Sequence, residues 1–84
     1  MAKTNYSPTF PMYPGDAATV TPSDTANFNT PSVIWAGGGG NVRVLTAQGT
    51  DVTFTGVLAG AILPVQVLRV YSTSTTATNM IRVF

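Results

Sequence analysis

The fold is decided by one stretch of sequence, Asn41-Val42-Arg43-Val44-Leu45-Thr46-Ala47-Gln48-Gly49-Thr50-Asp51-Val52-Thr53-Phe54. Apolar and polar side chains alternate on both sides of Ala47-Gln48-Gly49, and this period of two is typical of half-buried β-strands. With Gly49 at the left-handed position of a three-residue loop, the strands pair so that Val42 faces Phe54 and Val44 faces Val52. The register predicts a core face of Val42, Val44, Val52 and Phe54, and an opposite face of Arg43, Leu45, Asp51 and Thr53.

Further strands are expected on the N-terminal side of this hairpin. Residues 17–21 form a short strand candidate, and residues 32–36 form another, in which Trp35 is expected to be a core residue. Between them, Thr21-Pro22-Ser23-Asp24 is similar to a helix start and predicts a single helical turn, with Asp24 bonded to backbone donors. The run Gly37 to Gly40 lacks the residues of a phosphate-binding loop and is interpreted as a flexible hairpin loop.

The composition supports an all-β class. The chain has 84 residues, and its frequent Val and Thr residues favour strands because β-branched side chains lose rotamer freedom in helices. The prediction is a small antiparallel β-barrel or sandwich at residues 16–84, preceded by an extended arm at residues 1–15. A chain this short buries a small core, so oligomerisation or docking is expected to add stability.

The C-terminal strands are apolar on both faces. This holds for residues 65–71 and for residues 80–84. A strand with two apolar faces is normally covered on both, so one interpretation places the second face against another subunit. The alternative is a bulge at Val67-Leu68 that switches faces within a closed barrel. The candidate oligomer-interface residues are Leu68, Val70, Tyr71, Met80, Arg82 and Phe84.

The first fifteen residues are predicted to be an extended docking arm, and the alternative is a disordered tail. Pro8, Pro11 and Pro14 recur at every third position, which favours a polyproline-like conformation. An extended segment can bury aromatic side chains only against another surface. The candidate residues for docking to a neighbouring subunit or to a capsid are Tyr6, Phe10, Met12 and Tyr13.

Several function classes are excluded by what the chain lacks. It has no His, Cys or Glu, and its charged residues are 8% of the total. General bases, thiolates and most metal ligands are therefore missing, so no catalytic residue, metal site or cofactor is predicted. Its four cationic residues are scattered, which argues against nucleic-acid binding. No apolar run reaches the roughly 20 residues of a membrane span.

Certain motifs resemble a known family. The segments Thr19-Val20-Thr21-Pro22-Ser23-Asp24-Thr25, Val52-Thr53-Phe54, Gly60-Ala61-Ile62-Leu63-Pro64-Val65 and Thr75-Thr76-Ala77-Thr78 are similar to the small head-spike base and capsid decoration proteins of tailed phages and gene transfer agents. The resemblance covers about residues 16–84. It implies a non-enzymatic structural protein on the outer surface of an icosahedral head, acting as a decoration or cement protein or as a head-spike base.

The resemblance also implies partners and a location. These are the major capsid protein and, as an optional partner, a head fibre protein, with the host cytoplasm as the site of assembly. Self-association is predicted separately, from the two-sided apolar strands and the small core, and a trimer or pentamer would fit a symmetry axis of an icosahedral head. The alternative function is a small carbohydrate-binding or adhesion module, for which Trp35 and Tyr71 would have to form one stacking platform.

Overall fold

The computed structural model describes residues 14–84 and shows an all-β domain with two antiparallel sheets. The strands are β1 (Ala17–Thr19), β2 (Val33–Gly38), β3 (Gly40–Thr46), β4 (Asp51–Val57), β5 (Ala61–Ile62), β6 (Val67–Val70) and β7 (Thr78–Val83). One sheet has the order β1-β7-β2-β5 and the other β4-β3-β6. An isolated bridge between Ser32 and Val67 links them along one side. The predicted all-β antiparallel class is therefore confirmed.

The core lies between the two sheets. It is built from buried alternating side chains, because every second residue of a strand points to the same face. The fully or nearly buried apolar residues are Val20, Ile34, Ala36, Val42, Val44, Leu63, Val67, Val70, Ala77 and Met80. Their burial removes apolar surface from water, which is the main favourable contribution to folding at about 25 cal/mol per Å².

The predicted central hairpin is confirmed in its register. Val42 pairs with Phe54 and Val44 with Val52, with Val42 and Val44 fully buried. The N–H of Thr46 donates to the carbonyl of Thr50 at 2.8 Å, and Gly49 has a φ of 90°, as a three-residue loop requires. Sequence parity and the turn residue were sufficient here because all the determinants lie within a few residues of one another.

The predicted helical turn after Thr21 is wrong. Ser23 does accept bonds from the N–H groups of Thr25 and Ala26, at 3.3 and 3.1 Å, like a cap. However, the N–H of Ser23 donates to the carbonyl of Val70 at 2.9 Å, and that of Phe28 to Leu68 at 2.7 Å. These long-range bonds hold the segment alongside β6 as irregular backbone, so no helix forms there.

The glycine run is not a hairpin loop, which corrects the prediction for Gly37 to Gly40. Gly38 ends β2 and Gly40 begins β3, and these strands belong to different sheets. The run therefore crosses from one sheet to the other. It passes so close to the start of β7 that a Cβ atom on Gly40 would lie 2.7 Å from the backbone nitrogen of Ala77, the residue before that strand.

The bulge considered for β6 is present. Leu45 pairs with Arg69 and Thr46 with Val67, so Leu68 is an extra residue on β6. Val67 and Val70 are both buried as a result, although their spacing of three would place them on opposite faces of a regular strand. Val70 and Met80 are each only 2% exposed. Their prediction as interface residues is wrong, because the chain's own core already covers them.

Candidate functional site

The carboxylates of the described residues all have structural partners. Asp16 accepts a bond from the N–H of Ala17 at 2.8 Å, and Asp51 pairs with Arg43. Within residues 14–84, no three His, Cys, Asp or Glu side chains come together as a metal centre would need. The same residues contain no helix that is long and apolar enough to cross a membrane.

Asp24 connects two distant loops. One of its carboxylate oxygens accepts the N–H groups of Ser72 and Thr73 at 3.0 and 2.9 Å, and the other accepts the Thr73 hydroxyl at 2.6 Å. The hydroxyl and N–H of Thr73 are the main cause that lowers the pKa of Asp24 below its ordinary value of 3.8. Asp24 thus bonds to backbone donors as predicted, although these belong to the loop before β7 and not to a helix.

This arrangement predicts a pH-dependent stability. Because the folded pKa is lowered, the stabilisation by Asp24 is present above pH 3.8 and is lost as the pH falls through the folded pKa. We expect Asp24→Asn to lower the melting temperature at about pH 7 and to flatten its decline towards about pH 2.

Thermal unfolding followed by circular dichroism across this range would test the prediction. Thr73→Val is the matched variant, because it removes the hydroxyl donor and keeps the carboxylate; it should flatten the decline in part. Parallel curves for the wild type and Asp24→Asn would contradict the assigned role of Asp24.

The outer face of the β4-β3-β6 sheet carries charged side chains that form an ion pair and hydrogen bonds with one another. Arg43 donates to both oxygens of Asp51, from Nε at 3.1 Å and from Nη2 at 2.7 Å. The pair lowers the pKa of Asp51 and raises that of Arg43. The ring of Tyr71 lies 4.1 Å from the Arg43 guanidinium carbon and 5.2 Å from that of Arg69. Arg43 and Asp51 therefore share one face of the hairpin, as the predicted register requires.

The outer face of the β1-β7-β2-β5 sheet is different, because its side chains are uncharged. Trp35 is 38% exposed between Ile62 and Ile81, and the adjacent row pairs Val33 with Val83. We call the set Val33, Trp35, Ile62, Ile81 and Val83 the apolar face. The prediction of Trp35 as a core residue is wrong, since Ile34 and Ala36 take the inward positions of β2.

Trp35 and Tyr71 do not form one stacking platform. Trp35 lies on the outer face of one sheet, whereas Tyr71 stacks against Arg43 on the outer face of the other. The sequence did carry a signal for the position of Trp35. All four residues of Val33-Ile34-Trp35-Ala36 are apolar, but alternate residues of a strand point to opposite faces, so one alternate pair had to point outward.

Arg82 closes one end of the sandwich. It lies opposite Ile34, whose side chain is in the core, and its Nη1 donates to the hydroxyl of buried Ser32 at 2.9 Å. Its guanidinium carbon is 4.8 Å from the ring of Phe28 and 4.1 Å from that of Phe84. Arg82 therefore satisfies a buried hydroxyl and covers aromatic rings at this end.

Two grooves open at one end of the domain. One, of about 390 Å³, is lined by residues that include Pro14, Pro31, Val33, Val83 and Phe84. The other, of about 580 Å³, has Val52 and Val65 among its lining residues, and Gln66 contributes to both. The first groove contains the Val33–Val83 row of the apolar face together with the first described residue of the chain.

The predicted docking residues are distributed unevenly. Leu68, Tyr71, Arg82 and Phe84 are half-buried at the surface of the domain. The arm candidates Tyr6, Phe10, Met12 and Tyr13 lie outside the described residues. The apolar face was not predicted as a set, although it includes Ile81 and Val83 from the two-sided C-terminal strand.

Comparison with known proteins gives a match among solved structures. A scan against protein-family models found none that fits, and a search of curated proteins also found none. Among solved structures, the chain is similar to a protein in the "Capsid of native GTA particle computed with C5 symmetry", where GTA denotes a gene transfer agent. The identity is 35%, the alignment covers 84% of this chain and 83% of the other, and the TM-score is 0.74.

Proposed function

The chain belongs to the family of phage-like capsid-associated proteins that this gene transfer agent chain represents, and from this premise we propose that it is a non-enzymatic protein of the outer capsid surface. As a family member, it is a virion structural protein. The proposed role is that of a decoration or cement protein, or of a head-spike base. The observation that carries the proposal is the 35% identity over 84% of the chain.

The surface chemistry supports an assembly role. The carboxylate side chains of the described residues are held in hydrogen bonds, and neither groove has an Asp or Glu side chain in its lining. In contrast, the apolar face exposes a tryptophan and an isoleucine that would be better placed against a partner. A surface of this kind suits a permanent protein contact more than turnover of a substrate.

The proposed partners are the major capsid protein and further copies of the chain, as a trimer or pentamer on a symmetry axis of the shell. The proposed attachment uses Tyr6, Phe10, Met12 and Tyr13 of the N-terminal arm, together with the half-buried surface residues Leu68, Tyr71 and Phe84. A head fibre protein is a further proposed partner, and assembly would take place in the host cytoplasm.

Purified particles provide the test. We expect quantitative mass spectrometry to find the chain at a fixed copy number per particle, in a ratio to the major capsid protein that is constant between preparations. An antibody against the domain should bind intact particles. Particles that lack the chain, or that bind the antibody only after they are opened, would contradict the proposal.

A further inference from the structure

The apolar face is too small to be an interface by itself. Adjacent strands are about 4.8 Å apart and residues two positions apart on a strand are separated by about 7 Å, so the three strands and two rows of the apolar face cover at most a few hundred Å². A stable protein contact buries about 800 Å² on each partner. Two such faces pressed together would fall short of this area, so the occupant must contribute additional chain.

The described chain begins beside this face. Pro14 lines the same groove as Val33 and Val83, which form the first row of the apolar face. Asp16 and Phe84 exchange two backbone hydrogen bonds of 3.0 Å, so β1 continues backwards past the end of β7. The described part of the chain therefore begins at the edge of the apolar face, and the thirteen preceding residues are attached at that point.

The sequence of residues 1–13 favours docking on the face of a sheet over backbone pairing with a strand at the edge of a sheet. Pro8 and Pro11 lack the N–H groups that an added β-strand needs, so pairing at the edge of a sheet is disfavoured. Tyr6, Phe10, Met12 and Tyr13 require an apolar surface. Thirteen residues at about 3.1 Å each span roughly 40 Å, well beyond the roughly 15 Å between the outer strands of the sheet.

We propose that residues 6–13 of one copy lie across the apolar face of a neighbouring copy, with their aromatic rings against Trp35, Ile62 and Ile81. This inference rests on the self-association contained in the proposed function and identifies the surface that receives the arm. The contact is heterologous, because an arm on one copy meets a face on the next. Repetition of such a contact closes into a ring, which is the form that a trimer or pentamer requires.

A photo-cross-linking experiment on the purified full-length chain tests the inference without particles. A benzoylphenylalanine introduced at Ile62, which is 64% exposed, reports what covers the apolar face without disturbing the core. Unlabelled chains that carry the cross-linker are mixed with ¹⁵N-labelled wild-type chains. We expect cross-linked peptides that join position 62 of an unlabelled chain to residues 6–13 of a labelled one.

The control places the same cross-linker at Thr53, an exposed residue on the outer face of the other sheet. It should give at least tenfold fewer links to the arm. Links confined to the arm of the same chain, links to another part of a second copy, or no links at micromolar concentration would each overturn the inference.

The same cross-linker in assembled particles separates this inference from the proposed function. Links from position 62 to the major capsid protein alone would overturn arm exchange and leave the virion role intact. Absence of the chain from particles, together with arm-to-face links in the purified chain, would overturn the virion role and leave arm exchange intact.

Discussion

Gly40→Ala is expected to destabilise the domain by about 2–5 kcal/mol, which is a large part of the roughly 4–13 kcal/mol that a chain of this size has in total. Gly40 has a φ of 151°, a conformation that residues with a Cβ rarely adopt. An added Cβ would also lie 2.7 Å from the nitrogen of Ala77 and 2.7 Å from the hydroxyl of Thr76. The backbone carbonyl of the neighbouring Asn41 accepts hydrogen bonds from the N–H groups of Thr76 and Ala77. These two residues are therefore held in place and cannot move aside freely.

Gly49→Ala is the matched control for this expectation. Gly49 also has a positive φ, of 90°, but a Cβ there would meet no atom within 4 Å. It should cost about 1 kcal/mol, since only the backbone conformation is penalised. Urea unfolding of both variants measures the difference. Equal costs would contradict the assignment of the glycine run to a crowded crossing between the sheets.

The comparison between these two glycines also explains which parts of the fold could be predicted from sequence. The loop at Gly49 and its strand register follow from alternation and a single turn residue, all within fourteen residues of the chain. The role of Gly40 depends on residues 76 and 77, which are more than thirty positions away. Nothing in the local sequence separates a crossing between sheets from a flexible loop.

The same distinction applies to the segment after Thr21. Its capping residues favour a helical turn locally, and Ser23 accepts the expected type of bond. The backbone bonds from Ser23 to Val70 and from Phe28 to Leu68 decide the outcome, because several tertiary bonds outweigh the propensity of one short turn. The bulge at Leu68 likewise depends on the pairing of β6 with β3.

The candidate site was predicted only in part, for a related reason. The docking arm at residues 1–15 stays a prediction that rests on proline spacing and aromatic residues, which are local features. The apolar face combines residues of β2, β5 and β7, and it becomes visible only when Trp35, Ile62 and Ile81 are placed side by side. The position of Trp35 could have been inferred from parity, but its neighbours across the sheet could not.

Replacement of Tyr6, Phe10, Met12 and Tyr13 by serine is expected to reduce the occupancy of the chain on particles by orders of magnitude. Aromatic anchors buried at an interface commonly contribute about 2 kcal/mol or more each. The loss of two would therefore weaken attachment by about a thousandfold. Pro8 and Pro11 remain in this variant, so the restriction that limits the entropy lost on docking is retained.

The measurement combines particle occupancy with thermal unfolding of the free chain. The serine variant should still fold and unfold cooperatively, with a melting temperature lowered only by the lost contact between copies, because the core of the described domain is formed by residues 20–80. A second variant, with serine at Thr4, Asn5 and Thr9, changes polar arm positions and should retain occupancy. Unchanged occupancy of the aromatic-to-serine variant would exclude the arm from attachment. Loss of the cooperative unfolding transition would instead make the arm part of the chain's own core, since side chains that a single copy needs for folding are not available for docking to a partner.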